Sequence, residues 1–163
     1  MAEYWASPRA TTTPFEPVVV ALVAATTKTV LQVATPAGSD IRLNGWGVSF
    51  DGVSGTGIPV ICHLIDGDVA ATAGTSLTPE TWDPGYPASS CAGGTGATGY
   101  NFGTEGTMTA VHMLDSQHVH PQAGYAVWWP DNHRPRVSVS RFLRVRCKAP
   151  AGVNVIPWIN WQE

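Results

Sequence analysis

Phe-Leu-Arg-Val-Arg-Cys-Lys (142–148), then Ala-Pro-Ala-Gly (149–152) and Val-Asn-Val-Ile-Pro-Trp-Ile-Asn-Trp (153–161), is the stretch whose reading decides the fold. In its first half Leu143, Val145 and Cys147 alternate with Arg144, Arg146 and Lys148, the period of a strand with one buried and one wet face. Proline and glycine at 150 and 152 supply a turn. The second half is apolar on both faces, with Val155, Ile159 and Trp161 against Ile156 and Trp158, and so must be clasped from both sides. The pattern predicts a β-hairpin ending inside something, and it carries no catalytic grammar.

Further strand candidates lie upstream of it at 18–25, 29–35, 41–50 and 58–66, and again at 105–117, 125–129 and 136–139. In 41–50, Trp46, Val48 and Phe50 share one face and Gly45, Gly47 and Ser49 the other, where small residues admit close approach of another backbone. Asp51-Gly52 then gives a turn signal. No stripe of period 3.6 exceeds two turns, and β-branched residues dominate. About eight strands and no helix predict an all-β protein, a single antiparallel jelly-roll-like β-sandwich.

Two segments interrupt the pattern. Residues 1–16 hold Pro8, Pro14 and a Thr11-Thr12-Thr13 run and read as an N-terminal arm, with 17–163 as the sandwich domain. Tyr4 and Trp5 at its tip either tuck against their own domain or dock on a neighbour. Residues 67–104 form a long irregular loop rich in Gly, Pro, Ser, Thr and Ala, with Trp82, Tyr86, Tyr100 and Phe102 strung along it. A loop this long is functional, interface-forming or disordered, and its aromatics favour an ordered loop that packs on a neighbour or forms an exposed face.

Only 13% of the 163 residues are charged, and seven are tryptophan, so partners rather than water are expected to cover part of the surface. The net charge of −3 argues against a dedicated nucleic-acid binder, although six of the nine basic residues lie within 134–148. Arg144, Arg146 and Lys148 read as an ordinary solvated strand face, as a patch for an acidic protein surface, or as a nucleic-acid contact that lacks the usual aromatic groove. The longest apolar run, 18–25, is too short to span a bilayer. Met1 to Trp5 lack a basic leader followed by an apolar run, so no signal peptide is expected, and synthesis in a reducing cytoplasm is. Cys62, Cys91 and Cys147 offer at most one disulfide, and Cys62 and Cys147 read as buried small hydrophobes.

Chemistry-bearing patterns are sparse. His118 and His120 on one strand face would stand about 7 Å apart, a spacing that suits two metal ligands. The cupin pattern also begins His-x-His, but it needs a glutamate soon after. No acid follows here before Asp131, and the distal His133 sits in a turn. His118 and His120 are therefore weak metal candidates, and no cofactor is expected. No Gly-x-Ser-x-Gly elbow occurs, and Cys62 and His63 point to opposite faces. Gly93-Gly94-Thr95-Gly96 lacks the lysine of a phosphate loop. The chain reads as a non-enzyme.

Several stretches together resemble a family of small virion proteins of tailed actinobacterial phages. They are Thr29-Val30-Leu31-Gln32, Gly45-Trp46-Gly47-Val48-Ser49-Phe50-Asp51-Gly52, Glu105-Gly106-Thr107, Asp115-Ser116-Gln117-His118-Val119 with Pro121, Phe142-Leu143-Arg144-Val145-Arg146, and a closing apolar strand that ends in an acid. The resemblance runs from about residue 18 to the end, and Trp128-Trp129 and His112 depart from it. It implies a structural protein of the particle, either a capsid decoration protein or a minor tail component; the first is expected on the capsid exterior as a homotrimer bound to the major capsid protein, touching neither nucleic acid nor membrane. Tyr4, Trp5, Trp82, Tyr86, Arg144, Arg146 and Lys148 are then the expected partner interface. Two rivals stand beside it. One is a tail- or fibre-associated carbohydrate- or receptor-binding module with Trp82, Tyr86 and Tyr100 as its platform. The other is a cupin-like metalloenzyme.

Overall fold

A computed structural model describes residues 1–10, 16–51, 57–94 and 96–163. The Thr11–Thr13 run, Pro14, Gly52 of the expected turn and Thr95 of the glycine string lie outside the described residues.

The strands in chain order are β1 (Glu3–Ala6), β2 (Val20–Leu22), β3 (Thr27–Ala34), β4 (Ile41–Asp51) and β5 (Val60–Gly67). Three two-residue strands follow, β6 (Thr75–Ser76), β7 (Glu80–Thr81) and β8 (Gly99–Tyr100). Then come β9 (Val111–Val119), β10 (Tyr125–Trp128), β11 (Arg136–Val137), β12 (Phe142–Lys148) and β13 (Val153–Gln162). One turn of 3₁₀ helix, Asp131–His133, is the only helical element among the described residues.

These strands form two antiparallel sheets. The first has seven strands, ordered β10-β4-β13-β1-β7, with β2 also on β13 and β11 also on β4; the second has six, ordered β6-β8-β3-β12-β5-β9. Inward residues of both sheets, from Val30, Leu31 and Val33 to Trp46, Leu64, Val145, Ile159 and Trp161, make one core. The principal strands β2, β3, β4, β5, β9, β10, β12 and β13 follow a jelly-roll order, crossing between the sheets at every step except β5 to β9. The first sheet runs β2-β13-β4-β10 and the second β3-β12-β5-β9.

This order corrects the expected hairpin. β12 and β13 lie in different sheets, so the turn at 149–152 carries the chain across the sandwich instead of reversing it within one sheet. β12 is central, flanked by β3 and β5, and needs no edge protection. β13 is central too, with β4 along one side and β2 and β1 in tandem along the other, at 153–155 and 159–162. Pro157, which has no N–H to give, stands level with the gap between them, where the Ser7 hydroxyl donates to its carbonyl at 3.0 Å.

The expected irregular arm is also corrected at its start. β1 pairs with β13 from Glu3↔Gln162 to Ala6↔Ile159, and alternation sends Tyr4 inward onto Trp161 (ring centroids 6.0 Å apart) while Trp5 points outward. Four residues, Glu3–Ala6, are too short a run to stand out beside Pro8, Pro14 and the threonine run.

Cys62 and Cys147 face each other in register on β5 and β12 with 3.5 Å between sulfurs, fully buried and unbridged. They pack as small hydrophobes, as their strand positions suggested.

Candidate functional site

Two surfaces carry the residues singled out in the sequence, and the structure treats them in opposite ways. The first is the outer face of the six-stranded sheet. Alternation places Arg144 and Arg146 there, but the face is not wet: the chain between β5 and β9 folds back over it, and Arg144 is completely buried. Its Nη2 donates to the Glu105 carbonyl at 2.8 Å and its Nε to Gln32 Oε1 at 3.1 Å, while Nη1 stands 3.7 Å from Glu105 Oε2. Gln32 in turn accepts from the Ala71 amide at 2.8 Å and donates to the Ala97 carbonyl at 2.7 Å.

Glu105 is the clasp. Its carboxylate accepts from the Thr29 amide, from the Thr29 hydroxyl at 2.8 Å and from Arg146 Nε at 3.0 Å. One acid thus ties the loop to both β3 and β12 and stands beside both arginines from within the same chain. The expected partner role of Arg144 and Arg146 gives way to this internal one; only Lys148, at the strand's end, is exposed. The residues before β9, 105–110, read in the sequence as strand, are the strap itself.

Asp68, near the start of this segment, accepts from the amide (3.0 Å) and the hydroxyl of Thr109 at its end. These bonds to Thr109 are the main cause of a carboxyl pKa pulled down to about 2. An unfolded aspartate titrates near 3.9 (about), so between the two values the unfolded chain binds more protons. The contribution of Asp68 is therefore complete above about pH 5 and is lost as pH falls through about 2. Asp68→Asn is expected to flatten that part of the stability–pH curve, measured by urea unfolding at stepped pH, and to leave the neutral-to-alkaline limb unchanged.

The second surface is the outer face of the seven-stranded sheet, and it carries a row of tryptophans. Trp82 meets Trp5 edge to face (5.9 Å, 86°), Trp5 stacks on Trp158 (5.0 Å, 8°), and Trp158 leans on Trp128 (5.2 Å, 32°). The row crosses the sheet from β7 through β1 and β13 to β10. Its ends are open, Trp82 being 60% and Trp128 55% exposed.

Its floor is Gly45 and Gly47. In register, Gly45 lies opposite Trp128 and Gly47 opposite Trp158, and each indole lies across its glycine. A Cβ on Gly47 would stand 2.5 Å from both Trp158 Nε1 and the Tyr125 carbonyl, and one on Gly45 2.6 Å from the Val127 carbonyl. The close approach expected of these small residues is made by the backbone of β10 together with two indoles.

Beside Trp5 the row opens into a groove with two lobes. One, of about 170 Å³, is lined by Trp5, Ser7, Arg9, Glu16, Thr78 and Glu80; the other, of about 250 Å³, by Trp5, Glu80, Thr81 and Trp82. Arg9 pairs with Glu80 and donates to the Thr78 carbonyl at 3.2 Å.

Of the other expected site residues, Tyr4 is in the core with its hydroxyl donating to the Pro87 carbonyl at 3.1 Å, and Tyr86 is 44% exposed in a turn after Trp82. Tyr100 is buried within β8, which removes one ring from the expected three-ring sugar platform. His118 lies on β9, whereas His120 falls in the following turn, where its Nδ1 accepts from the Gln122 amide at 3.3 Å. Among the described residues no group of three or more His, Cys, Asp or Glu could hold a metal ion.

Sequence reading missed Trp128 and Trp158 as members of this face and Glu105 as the clasp. The signal for Trp158 was present: it lies out of phase with the inward Val155 and Ile159. Comparison of the chain with known protein families, curated proteins and solved structures finds no match.

Proposed function

We propose that this chain is a non-enzymatic structural protein of a tailed-phage particle, a capsid decoration protein that binds the assembled shell and stabilises it by bridging capsid subunits, as a homotrimer on the capsid exterior. The observation that carries this reading is the tryptophan face. Two indoles more than half exposed, continuous with two more, form a rigid apolar row on an otherwise ordinary sandwich. Monomeric surfaces seldom leave such a row to water, and tryptophan is prominent among residues that dominate protein–protein binding energy. The resemblance of the strand motifs to phage virion proteins supplies the partner, the major capsid protein.

The face suits a protein surface better than a sugar. Trp5 and Trp158 stack on each other, so the middle of the row offers edges more than open faces. The mechanism is mass action: a protein that binds the closed shell but not its separated subunits shifts the equilibrium toward the shell.

Particles carrying the protein are expected to rupture at a higher temperature than particles lacking it. Trp128→Ala, exposed and outside the core, is expected to weaken shell binding about 30-fold, the effect of a hot-spot loss of about 2 kcal/mol. Equal rupture temperatures with and without the protein would remove the stabilising role.

A further inference from the structure

The groove at the β7 end of the row has a character that a general apolar docking face does not explain. Trp82 and Trp5 meet at 86°, so one presents its edge to the other's face. Whichever ring does so, Trp82 keeps at least one face free of the row. Glu80 stands in register opposite Trp5 on the neighbouring strand and two residues from Trp82, and it lines both lobes of the groove. Glu3 shares the face of Trp5, and its carbonyl accepts from the Trp82 amide at 3.2 Å. Glu16 lines the groove, and Asp83 follows Trp82.

Of the residues that line the groove, Glu16 and Glu80 are acids and Arg9 is the one base, so the lining carries a net charge of −1. An open indole face backed by carboxylates attracts a cation twice, through the ring quadrupole and through charge. Arg9 already shows what the groove holds: a guanidinium on Glu80 and on the Thr78 carbonyl.

We propose that the Trp5–Trp82 corner is the seat of a cationic side chain, an arginine by preference, presented by the protein partner. A planar guanidinium can lie on the free face of Trp82 and direct its N–H groups to Glu80, which an ammonium does less well. The inference deepens the decoration reading and rests on it only for who presents the cation.

Indole N–H NMR signals of the purified chain, titrated with N-acetyl-arginine amide, test it. The Trp5 and Trp82 signals are expected to move saturably and those of the buried Trp46 and Trp161 to stay, with the movement suppressed by salt. Trp82→Leu is expected to weaken binding about fivefold. Arg9→Gln, which removes the competing internal cation, is expected to tighten it about twofold.

The neutral isostere N-acetyl-citrulline amide should leave the signals in place. Equal shifts with citrulline amide, shifts with methyl β-glucoside but not with arginine amide, or no shift at all would each overturn the proposal. If the indoles stay still while particles bind the chain normally, the corner fails and the decoration reading stands. If the indoles move and particles do not bind, the reverse holds.

Discussion

Arg144→Ala is expected to remove about 3 kcal/mol of folding stability, because it empties a fully buried site and leaves buried acceptors without a donor. Two features set the size of the loss. Arg144 is wholly buried, so no water replaces it, and Glu105 keeps its negative charge with only Arg146 beside it. Gln32 Oε1 and the Glu105 carbonyl lose a donor at the same time. Arg144→Met, which fills the space against Met108 but leaves the same acceptors unmet, is expected to fall between Ala and the parent.

Arg144→Met, Glu105→Gln and the two together complete a cycle with the parent, in which the double variant is expected to lose less than the sum of the single losses, because both residues hold the same strap. Urea unfolding of the four proteins gives the coupling directly. A loss below about 1 kcal/mol for Arg144→Ala would show the strap to be only loosely held on β3 and β12. The same series bears on the surface, since the strap covers the face on which the strand's cations were expected to meet a partner.

The alternation that exposed β3, β4, β5, β12 and β13 to a sequence reader reports only which side of a strand a residue takes. It does not say what lies on that side. Leu143, Val145 and Cys147 against Arg144, Arg146 and Lys148 gave the phase of β12 correctly, but a strap more than thirty residues upstream decides that Arg144 is buried. Glu105 opens a Gly- and Thr-rich stretch whose alternation reads as the start of a strand, so nothing local marks it as the acid that answers those arginines. The same blindness made β12 and β13 look like a hairpin. A four-residue turn joins neighbours within a sheet and strands across a sandwich equally well, and only the pairing of Cys147 with Cys62 and of Trp158 with Gly47 separates the two. The candidate face was half legible. Trp5 and Trp82 stood out as aromatics in irregular sequence, whereas Trp158 and Trp128 were absorbed into strand patterns, and their assembly depends on register across five strands.

That register gives the second large effect. Gly47→Ala is expected to destabilise the fold by about 2–3 kcal/mol, far beyond the small change that an Ala gives on an ordinary strand face. The added methyl would meet the Tyr125 carbonyl and Trp158 Nε1 at the same 2.5 Å, one from the β10 backbone and one from the indole across the strand. Swinging Trp158 away relieves only the second contact; the first requires β10 to withdraw from β4 or the ladder to slip. Gly38→Ala, whose methyl meets nothing within 4 Å, serves as the control and is expected to be near neutral.

The optical signature should change with the stability. Trp5 and Trp158, stacked at 5.0 Å, are close enough for their indole transitions to couple, so the parent chain should show an exciton band in circular dichroism. Gly47→Ala should diminish it and Gly38→Ala leave it intact. If Gly47→Ala kept both its stability and that band, the indoles would not be seated on a glycine floor, and the row could no longer be treated as one rigid face. Persistence in the parent and loss in Gly47→Ala would tie the geometry of the binding face to a single missing methyl group in β4.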